Sequence, residues 1–402
     1  MVKKVLSLGV LVLLTVSLVA CGSKSTGGEN QPGTNAGQTN QTSSQTQPET
    51  KKPEQTTELE IPLIAPFSGS VAFYGDGYQK GLNLALGEVG HVVNGVKVSI
   101  KPYDDKCTPD EAVNQVLKVV NSAKLVIGPA CTANTLAVQG KLAEAGIPHL
   151  ALNYGSVAYE KNDNLIFAAT ISDWHMSSAI VKFAKEQGIQ KWALINATDA
   201  YSSSGAEMFK KAAAENGVEI VEHATFQGGN REFKGILLNV QKKNPQALYV
   251  VAYEVDAGIL VKQARQVGIN TPLYGNTVFA NKEFIEASGE ASEGAYFVAV
   301  IIPDDPYQPV QEFVKKFRSA YNADPNDVAT AGYTAGKIII SVLNKIGPDV
   351  TKEKLAEALR SLQVSGTPFG EFSYNPNGTM KGEKLVTIGQ IKNGKPTVVK
   401  RE

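Results

Sequence analysis

The sequence predicts an α/β protein with parallel sheets, organised as two stacked lobes. From Leu59 onward, short apolar runs alternate with longer amphipathic stretches of helical period, which is typical of βαβ units. Several helical stretches stop at a glycine that can take the left-handed conformation closing a helix: Gly146, Gly188, Gly217 and Gly268. The series of units is too long for one ordinary sheet, so two lobes are expected.

The strands and helices follow in chain order. Nine apolar runs predict strands: Glu60–Ala65, Lys97–Tyr103, Lys124–Ile127, Pro148–Leu152, Lys191–Asn196, Glu219–Thr225, Ala247–Ala252, Thr271–Tyr274 and Gly294–Ile301. Stretches of helical period predict helices: Tyr78–Glu88, Asp110–Ser122, Ala133–Ala145, Met176–Gln187, Gly205–Glu215, Phe233–Lys242, Asp256–Val267, Pro309–Tyr321, Ala329–Ile346 and Lys352–Leu362. The chain is expected to finish with a hairpin of Gly370–Tyr374 and Leu385–Lys392 around the turn 375–378.

Composition excludes several classes of protein. The 402 residues predict two or three domains, and 43% hydrophobic residues are ordinary for a globular chain. The 39 Lys and Arg balance the 39 Asp and Glu, so no bulk basic charge is available for nucleic acid. Three cysteines are too few for a disulfide scaffold.

The amino-terminal residues 1–20 predict an export signal. Lys3 and Lys4 precede an apolar run that ends at Leu18-Val-Ala-Cys21-Gly. This ending resembles the bacterial lipobox, in which cleavage leaves a lipidated cysteine as the first residue. Cys21 is therefore the expected membrane anchor, and the alternative is an ordinary signal peptide cut elsewhere with Cys21 incidental.

Residues 21–57 predict a lipidated terminus followed by a disordered linker. From residue 22 onward, Ala36 is the only apolar residue of this segment, so too little surface can be buried to order it. Loss of residues 1–20 removes two lysines and no acid, which leaves a net charge of −2. No later apolar run is long enough to span a bilayer.

The sequence contains no catalytic or metal-binding motif, so no catalytic residue, metal or cofactor is predicted. The four histidines lack the spacing of metal ligands, and no G-x-S-x-G elbow occurs. Gly75-x-Gly77-x-x-x-Gly81 lacks dinucleotide-binding spacing, and Gly332-x-x-x-Gly336-Lys337 is one residue short of a P-loop. Both glycine patterns are interpreted as helix-packing positions.

Two cysteines follow strands. Cys107 and Cys131 each lie in a loop after a predicted strand, 24 residues apart. If these strands are neighbours in a parallel sheet, the loops meet at one edge, and an exported protein would oxidise the pair. The alternative is two unpaired thiols.

Five segments resemble the leucine/isoleucine/valine-binding proteins of bacterial ABC importers: Ile64–Gly69, Ala72–Asp76, Tyr103–Cys107, Val126–Cys131 and Lys262–Gly268. The resemblance runs from residue 58 to about residue 390. It implies the type I periplasmic binding protein fold, with two Rossmann-like lobes joined by three crossovers near 170–173, 301–304 and 363–369. The amino-terminal lobe would comprise 58–171 plus 303–365, and the carboxy-terminal lobe 172–302 plus 366–402.

The resemblance also implies a ligand site. Thr132 matches a serine that holds the ligand carboxylate, and its predicted place at a helix start favours an anion. The family's remaining contacts map onto a loop and several side chains: Asn153, Tyr154, Gly155, Ser156, Tyr74, Tyr201, and Tyr253 or Glu254.

One departure from the family concerns the ligand's ammonium group. The family places a glutamate after Tyr274-Gly275, whereas this chain has Asn276 and Thr277. A carboxylate for an amine would then come from Asp199, Glu254, Asp256 or Asp173, or the ligand lacks an α-amine.

These observations predict a lipid-anchored solute-binding protein on the extracytoplasmic face of the cell membrane, not an enzyme. The expected ligand is an amino acid, branched-chain-like, or a related small carboxylate or amide. The expected partners are ABC permease subunits and the membrane, through Cys21, with no nucleic acid and a monomeric chain. The alternative is a ligand-sensing receptor of the same fold that feeds a signalling partner.

Overall fold

A computed structural model describes residues 56–160 and 165–402. The predicted signal peptide, the proposed lipidation site at Cys21 and the linker up to residue 55 lie outside the described residues. In the described part of the chain, no helix is long and apolar enough to cross a membrane.

The first lobe is built on a six-stranded sheet. Its strands are β1 (Thr57–Ala65), β2 (Val92–Val93), β3 (Val96–Asp104), β4 (Val126–Ile127), β5 (His149–Ala151) and β6 (Ile166–Ala168). Their spatial order is β2-β3-β1-β4-β5-β6, and all neighbours are parallel except the edge pair β2–β3. The carboxyl-terminal half of β1 is continuously buried, as expected for a parallel strand covered on both faces.

The second lobe is built on a seven-stranded sheet. Its strands are β7 (Lys191–Ala197), β8 (Glu219–Phe226), β9 (Ala247–Val251), β10 (Leu273–Gly275), β11 (Tyr296–Ala299), β15 (Thr387–Lys392) and β16 (Lys395–Arg401). Their order is β16-β15-β11-β10-β9-β7-β8. The parallel strands end at β11, against which the antiparallel pair β15–β16 forms one edge.

A small three-stranded sheet corrects the predicted terminal hairpin. It contains β12 (Val364–Thr367), β13 (Gly370–Tyr374) and β14 (Met380–Gly382). The turn at Asn375 returns the chain at once, so β13 pairs with β14 and not with Leu385–Lys392. The pairing prediction was therefore wrong, because the later apolar run belongs to the second sheet as β15.

In the described ranges, twelve α-helices cover the sheets. Those associated with the first sheet are α1 (Ala72–Gly87), α2 (Pro109–Val119), α3 (Thr132–Glu144), α4 (Val157–Glu160), α10 (Gln308–Tyr321), α11 (Asp327–Ile346) and α12 (Lys352–Arg360). Those associated with the second sheet are α5 (Asp173–Glu186), α6 (Ala200–Glu215), α7 (Lys234–Lys242), α8 (Glu254–Gln266) and α9 (Lys282–Ser288). Within the described residues, the chain passes between the lobes three times: after β6, after β11 and between α12 and β15.

Glycines let α1 and α11 pack with their backbones close together. A Cβ atom on Gly81 would lie 2.1 Å from the carbonyl oxygen of Ala329, and one on Gly332 would lie 2.2 Å from that of Tyr78. Neither backbone could move aside without separating the helices, so these positions require glycine. The interpretation of the glycine patterns as helix-packing positions is confirmed for Gly77, Gly81, Gly332 and Gly336, whereas Gly75 lies against Pro66 and Phe67 in the loop after β1.

The predicted fold class, an α/β protein with parallel sheets in two lobes, is confirmed. The nine predicted strands each overlap an observed strand, with bounds that differ by a few residues. Short strands such as β6 and β12 were missed, because three or four residues give too little pattern to recognise.

Candidate ligand-binding site

A tyrosine-lined cavity of about 20 Å³ lies between the lobes. Both lobes contribute, and the carboxyl ends of their parallel strands face it, as is usual for sites in open α/β sheets. The lining residues are Tyr74, Tyr78, Ala130, Thr132, Tyr154 and Asp327 from the first lobe, and Tyr201, Tyr253, Thr277 and Val278 from the second.

Two larger cavities share lining residues with this central cavity. One, of about 310 Å³, shares Thr277 and Asp327 with it. The other, of about 510 Å³, shares Tyr253 and reaches the rim of the cleft at Arg231. The cleft between the lobes is therefore longer than its narrow centre.

Thr132 is the first residue of α3, and its side chain is buried against the cavity. The first amides of a helix have no partners within the helix and favour an anion. Gly155 lies directly against it, since a Cβ atom there would be 2.5 Å from the Thr132 methyl carbon and 2.7 Å from its hydroxyl oxygen. The loop that follows β5 thus holds Thr132 in place.

A disulfide fixes the start of the same helix. Cys131 is the residue immediately before α3, and it is bonded to Cys107 in the loop after β3, with Cα atoms 5.7 Å apart. The two loops meet because β3 and β4 lie on either side of β1. The disulfide restricts the position from which Thr132 projects.

Asn153 and Ser156 support the cavity from behind its wall. The Asn153 side chain donates to the Gly155 carbonyl oxygen (3.3 Å) and accepts from the Thr135 hydroxyl (3.1 Å). The backbone N–H of Ser156 donates to Asp173 at 2.9 Å, and the Ser156 hydroxyl donates to the same carboxylate. Both residues are buried, and both hold the shape of the Asn153–Ser156 loop.

Asp173 joins the two lobes at the first crossing. Besides Ser156 of the first lobe, it accepts a hydrogen bond of 2.5 Å from the Ser204 hydroxyl of the second. Burial raises the pKa of the Asp173 carboxyl to about 6, although these donors act in the opposite direction. Its acceptor atoms are engaged here, and Asp173 does not line the central cavity or the rim cavity.

Aromatic side chains of the second lobe form one wall of the cavity. The rings of Tyr201 and Tyr253 lie 5.1 Å apart between centroids, and Tyr154 of the first lobe faces Tyr201 at 6.4 Å. Asn276 lies behind them and donates to the Tyr201 hydroxyl oxygen at 2.6 Å. Asn276 therefore orients an aromatic group of the wall.

Tyr74 and Glu254 connect the lobes across the cleft. The Tyr74 hydroxyl on α1 donates to the Glu254 carboxylate at the start of α8, at 3.1 Å. The same carboxylate oxygen accepts from the Asn281 amide at 3.0 Å. Glu254 is 4% exposed, and burial raises the pKa of its carboxyl.

Asp327 was not predicted from the sequence. It is the first residue of α11, lines the cavity, and accepts from the Tyr154 hydroxyl at 2.9 Å. Burial raises the pKa of its carboxyl to about 7. The local signal, an acid after Asn326, is also that of an ordinary helix start, where Asn326 indeed caps the helix through Ala329.

The other acids considered for a ligand amine have different partners. Asp199 caps α6 by accepting from the backbone N–H and the hydroxyl of Ser202. Asp256 pairs with Arg231 at 2.6 Å on the rim. Of the predicted acids, only Glu254 is bonded to a side chain that lines the central cavity.

Two α/β lobes joined by three crossings, with a cavity between them, define the class of two-lobed binding proteins. The sequence profile of the periplasmic binding protein family matches residues 58–396. The chain belongs to this family, whose members bind solutes and are not enzymes, and the predicted similarity to leucine/isoleucine/valine-binding proteins is confirmed.

Relatives and solved structures agree with this placement. The chain is 27% identical over 350 residues to the leucine-, isoleucine-, valine-, threonine- and alanine-binding protein of Pseudomonas aeruginosa, covering 85% of this chain and 92% of that protein. A leucine-binding protein from Thermotoga maritima superposes with a TM-score of 0.77 at 22% identity, over 85% and 98% of the two chains. A solute-binding protein of an ABC transporter from R. palustris, in complex with benzoate, gives a TM-score of 0.76 at 22% identity, over 86% and 96%. The structural likenesses show the fold.

Proposed function

We propose that the protein is a lipid-anchored solute-binding protein of an ABC importer, held by Cys21 on the extracytoplasmic face of the membrane. Its ligand is an amino acid, branched-chain-like, or a related small carboxylate or amide, bound in the cleft between lobes. The proposed lobes comprise 58–171 plus 303–365 and 172–302 plus 366–402. The proposed partners are the permease subunits of the importer, and the chain acts as a monomer.

The observation that carries this proposal is the position of Thr132. It combines a hydroxyl and the free amides of a helix start at the wall of an inter-lobe cavity. A carboxylate placed there would accept from both kinds of donor. Aromatic side chains from both lobes supply apolar surface for the rest of a small molecule.

The mechanism is closure of the lobes around the ligand. Tyr74 of the first lobe already reaches Glu254 of the second, so closing brings groups from both lobes into contact. A ligand that touches both lobes stabilises the closed arrangement because it binds that arrangement better than the open one.

A thermal-shift screen of amino acids, other carboxylates and amides tests the proposal. A ligand that binds only the folded protein raises its melting temperature by mass action. Thr132→Val is nearly isosteric and removes the hydroxyl, so it should sharply weaken the best carboxylate. A screen without any shift, or a hit that Thr132→Val leaves unchanged, would contradict the assignment.

A further inference from the structure

Two buried carboxylates without an ion-pair partner from the described residues lie at the cleft, Asp327 on the central cavity and Glu254 on the rim cavity. Asp327 is 8% exposed and Glu254 is 4% exposed. Their side-chain partners are the neutral donors Tyr154 for the first, and Tyr74 and Asn281 for the second. None of the described residues that line the central cavity is a lysine or arginine.

Three cations line the two adjoining cavities; Lys395 is exposed on the cavity of about 310 Å³, and the other two have ion-pair partners. Arg231, on the rim beside Glu254, pairs with Asp256 at 2.6 Å. Lys106, in the same rim cavity, lies 3.5 Å from Glu111. Burying a carboxylate without a counter-charge is costly, and burial accordingly raises the pKa of both acids in the cleft.

A buried hydroxyl points independently to a polar ligand group. Thr277 is 1% exposed and lines the cavity, and its hydroxyl oxygen has no hydrogen-bond partner among the described residues. Behind it, the side-chain oxygen of Asn276 is also buried without one. Buried polar atoms of this kind are uncommon unless a bound molecule satisfies them.

We propose that the ligand is a small basic amino acid, with its carboxylate at Thr132 and its two cationic nitrogens at Asp327 and Glu254. The inference rests on the proposed function, because it takes the ligand carboxylate at Thr132. Two acids and one helix start match the charges of one carboxylate and two ammonium groups. A neutral amino acid would leave one of the two buried carboxylates without a counter-charge.

The test compares ornithine with norleucine, which have side chains of the same shape and differ in a terminal ammonium against a methyl group. Titration calorimetry on the folded protein at neutral pH gives both dissociation constants. A hydrogen bond to a charged group stabilises a complex strongly, so the dissociation constant of ornithine should be lower than that of norleucine by about tenfold or more. Equal affinities, or tighter binding of norleucine, would overturn the inference.

Substitutions of the two buried acids test where the cationic nitrogens of the ligand bind. Asp327→Asn keeps the shape and an acceptor for Tyr154, and Glu254→Gln is the matching change at the other acid. The variant at the acid that holds the side-chain ammonium should reduce the preference for ornithine by about tenfold or more, whereas the variant at the acid that holds the α-ammonium should weaken both ligands alike. Asp76→Asn is the control, because it removes a carboxylate of α1 that is exposed and paired with Lys80. An ornithine preference that survives both cleft substitutions would contradict the assigned positions.

The outcomes separate this inference from the proposed function. If norleucine binds and Thr132→Val weakens it, the solute-binding proposal stands and the basic ligand is wrong. If no carboxylate shifts the melting temperature, the proposed function itself fails. Because the comparison of ornithine with norleucine is made on the unaltered protein, it does not depend on whether any variant folds.

Discussion

Replacing Gly155 with alanine should disturb the ligand site through a single steric contact. The added Cβ atom would lie 2.5 Å from the methyl carbon of Thr132 and 2.7 Å from its hydroxyl oxygen. Carbon atoms in ordinary contact are about 3.5–4.0 Å apart, so one of the two must move by about 1 Å. The threonine side chain is stiff about χ1, so the hydroxyl moves together with the methyl group.

The size of the effect follows from overpacking. Extra atoms in a packed interior cost about 1–3 kcal/mol. If that strain falls on the arrangement that binds ligand, affinity drops by about fivefold to a hundredfold. Titration calorimetry with the tightest carboxylate of the screen measures it, and chemical denaturation gives the accompanying change in the free energy of unfolding.

Two further variants make the test specific. Gly140→Ala is the matched control, because Gly140 lies exposed in the same helix α3 and a Cβ atom there would meet nothing within 4 Å. It should stabilise the protein slightly, by about 0.5–1 kcal/mol, without changing affinity. Thr132→Ser removes the clashing methyl group, so it should restore part of the binding lost in Gly155→Ala. Unchanged affinity in Gly155→Ala alone would refute the reasoning.

Three more predictions concern the lobes and their charges. Tyr74→Phe removes the hydrogen bond to Glu254 across the cleft, so the ligand affinity measured by calorimetry should fall by about threefold to tenfold. An unchanged affinity would show that this hydrogen bond does not contribute to closure. Loss of the disulfide, by reduction or by replacing Cys107 and Cys131 with serine, should lower the free energy of unfolding in urea by about 3 kcal/mol. An unchanged midpoint of urea unfolding would contradict this prediction. Burial raises the pKa of the Asp327 carboxyl from 3.8 to about 7. Between these pH values the unliganded native state therefore binds more protons than the unfolded state. The free energy of unfolding consequently falls as the pH rises through that range. Asp327→Asn removes this loss and should be more stable than the unaltered protein by about 1–3 kcal/mol at about pH 8, with little difference at about pH 4; equal stabilities at both values would contradict it.

Much of the fold could be predicted because most of its parallel strands, such as β7 and β9, are buried on both faces. A strand such as β1 appears in the sequence as a continuous apolar run, and the intervening helices have their own period. The terminal hairpin failed for a different reason. Local pattern identifies Leu385–Lys392 as extended, but its pairing with β11 depends on how the second sheet is assembled.

The candidate site was predictable only where a loop follows a strand. Thr132 and the Asn153–Ser156 loop lie at such positions, and the structure brings them together. Asp327 was missed because the first residue of a helix is a common place for an acid. Its proximity to Tyr154 arises from tertiary packing across 173 residues of sequence, which no local pattern records.

On helices α1 and α11, the residues that determine the helix spacing differ from those that line the cavity. Gly81 and Gly332 determine the distance between the helices, whereas Tyr78 and Asp327 on the same helices face the cavity. A substitution at a cavity-facing position can therefore alter which molecule is preferred while the scaffold keeps its dimensions. Changes of ligand during evolution, or by design, are accessible through single substitutions at such positions, and the glycines are the residues to leave untouched.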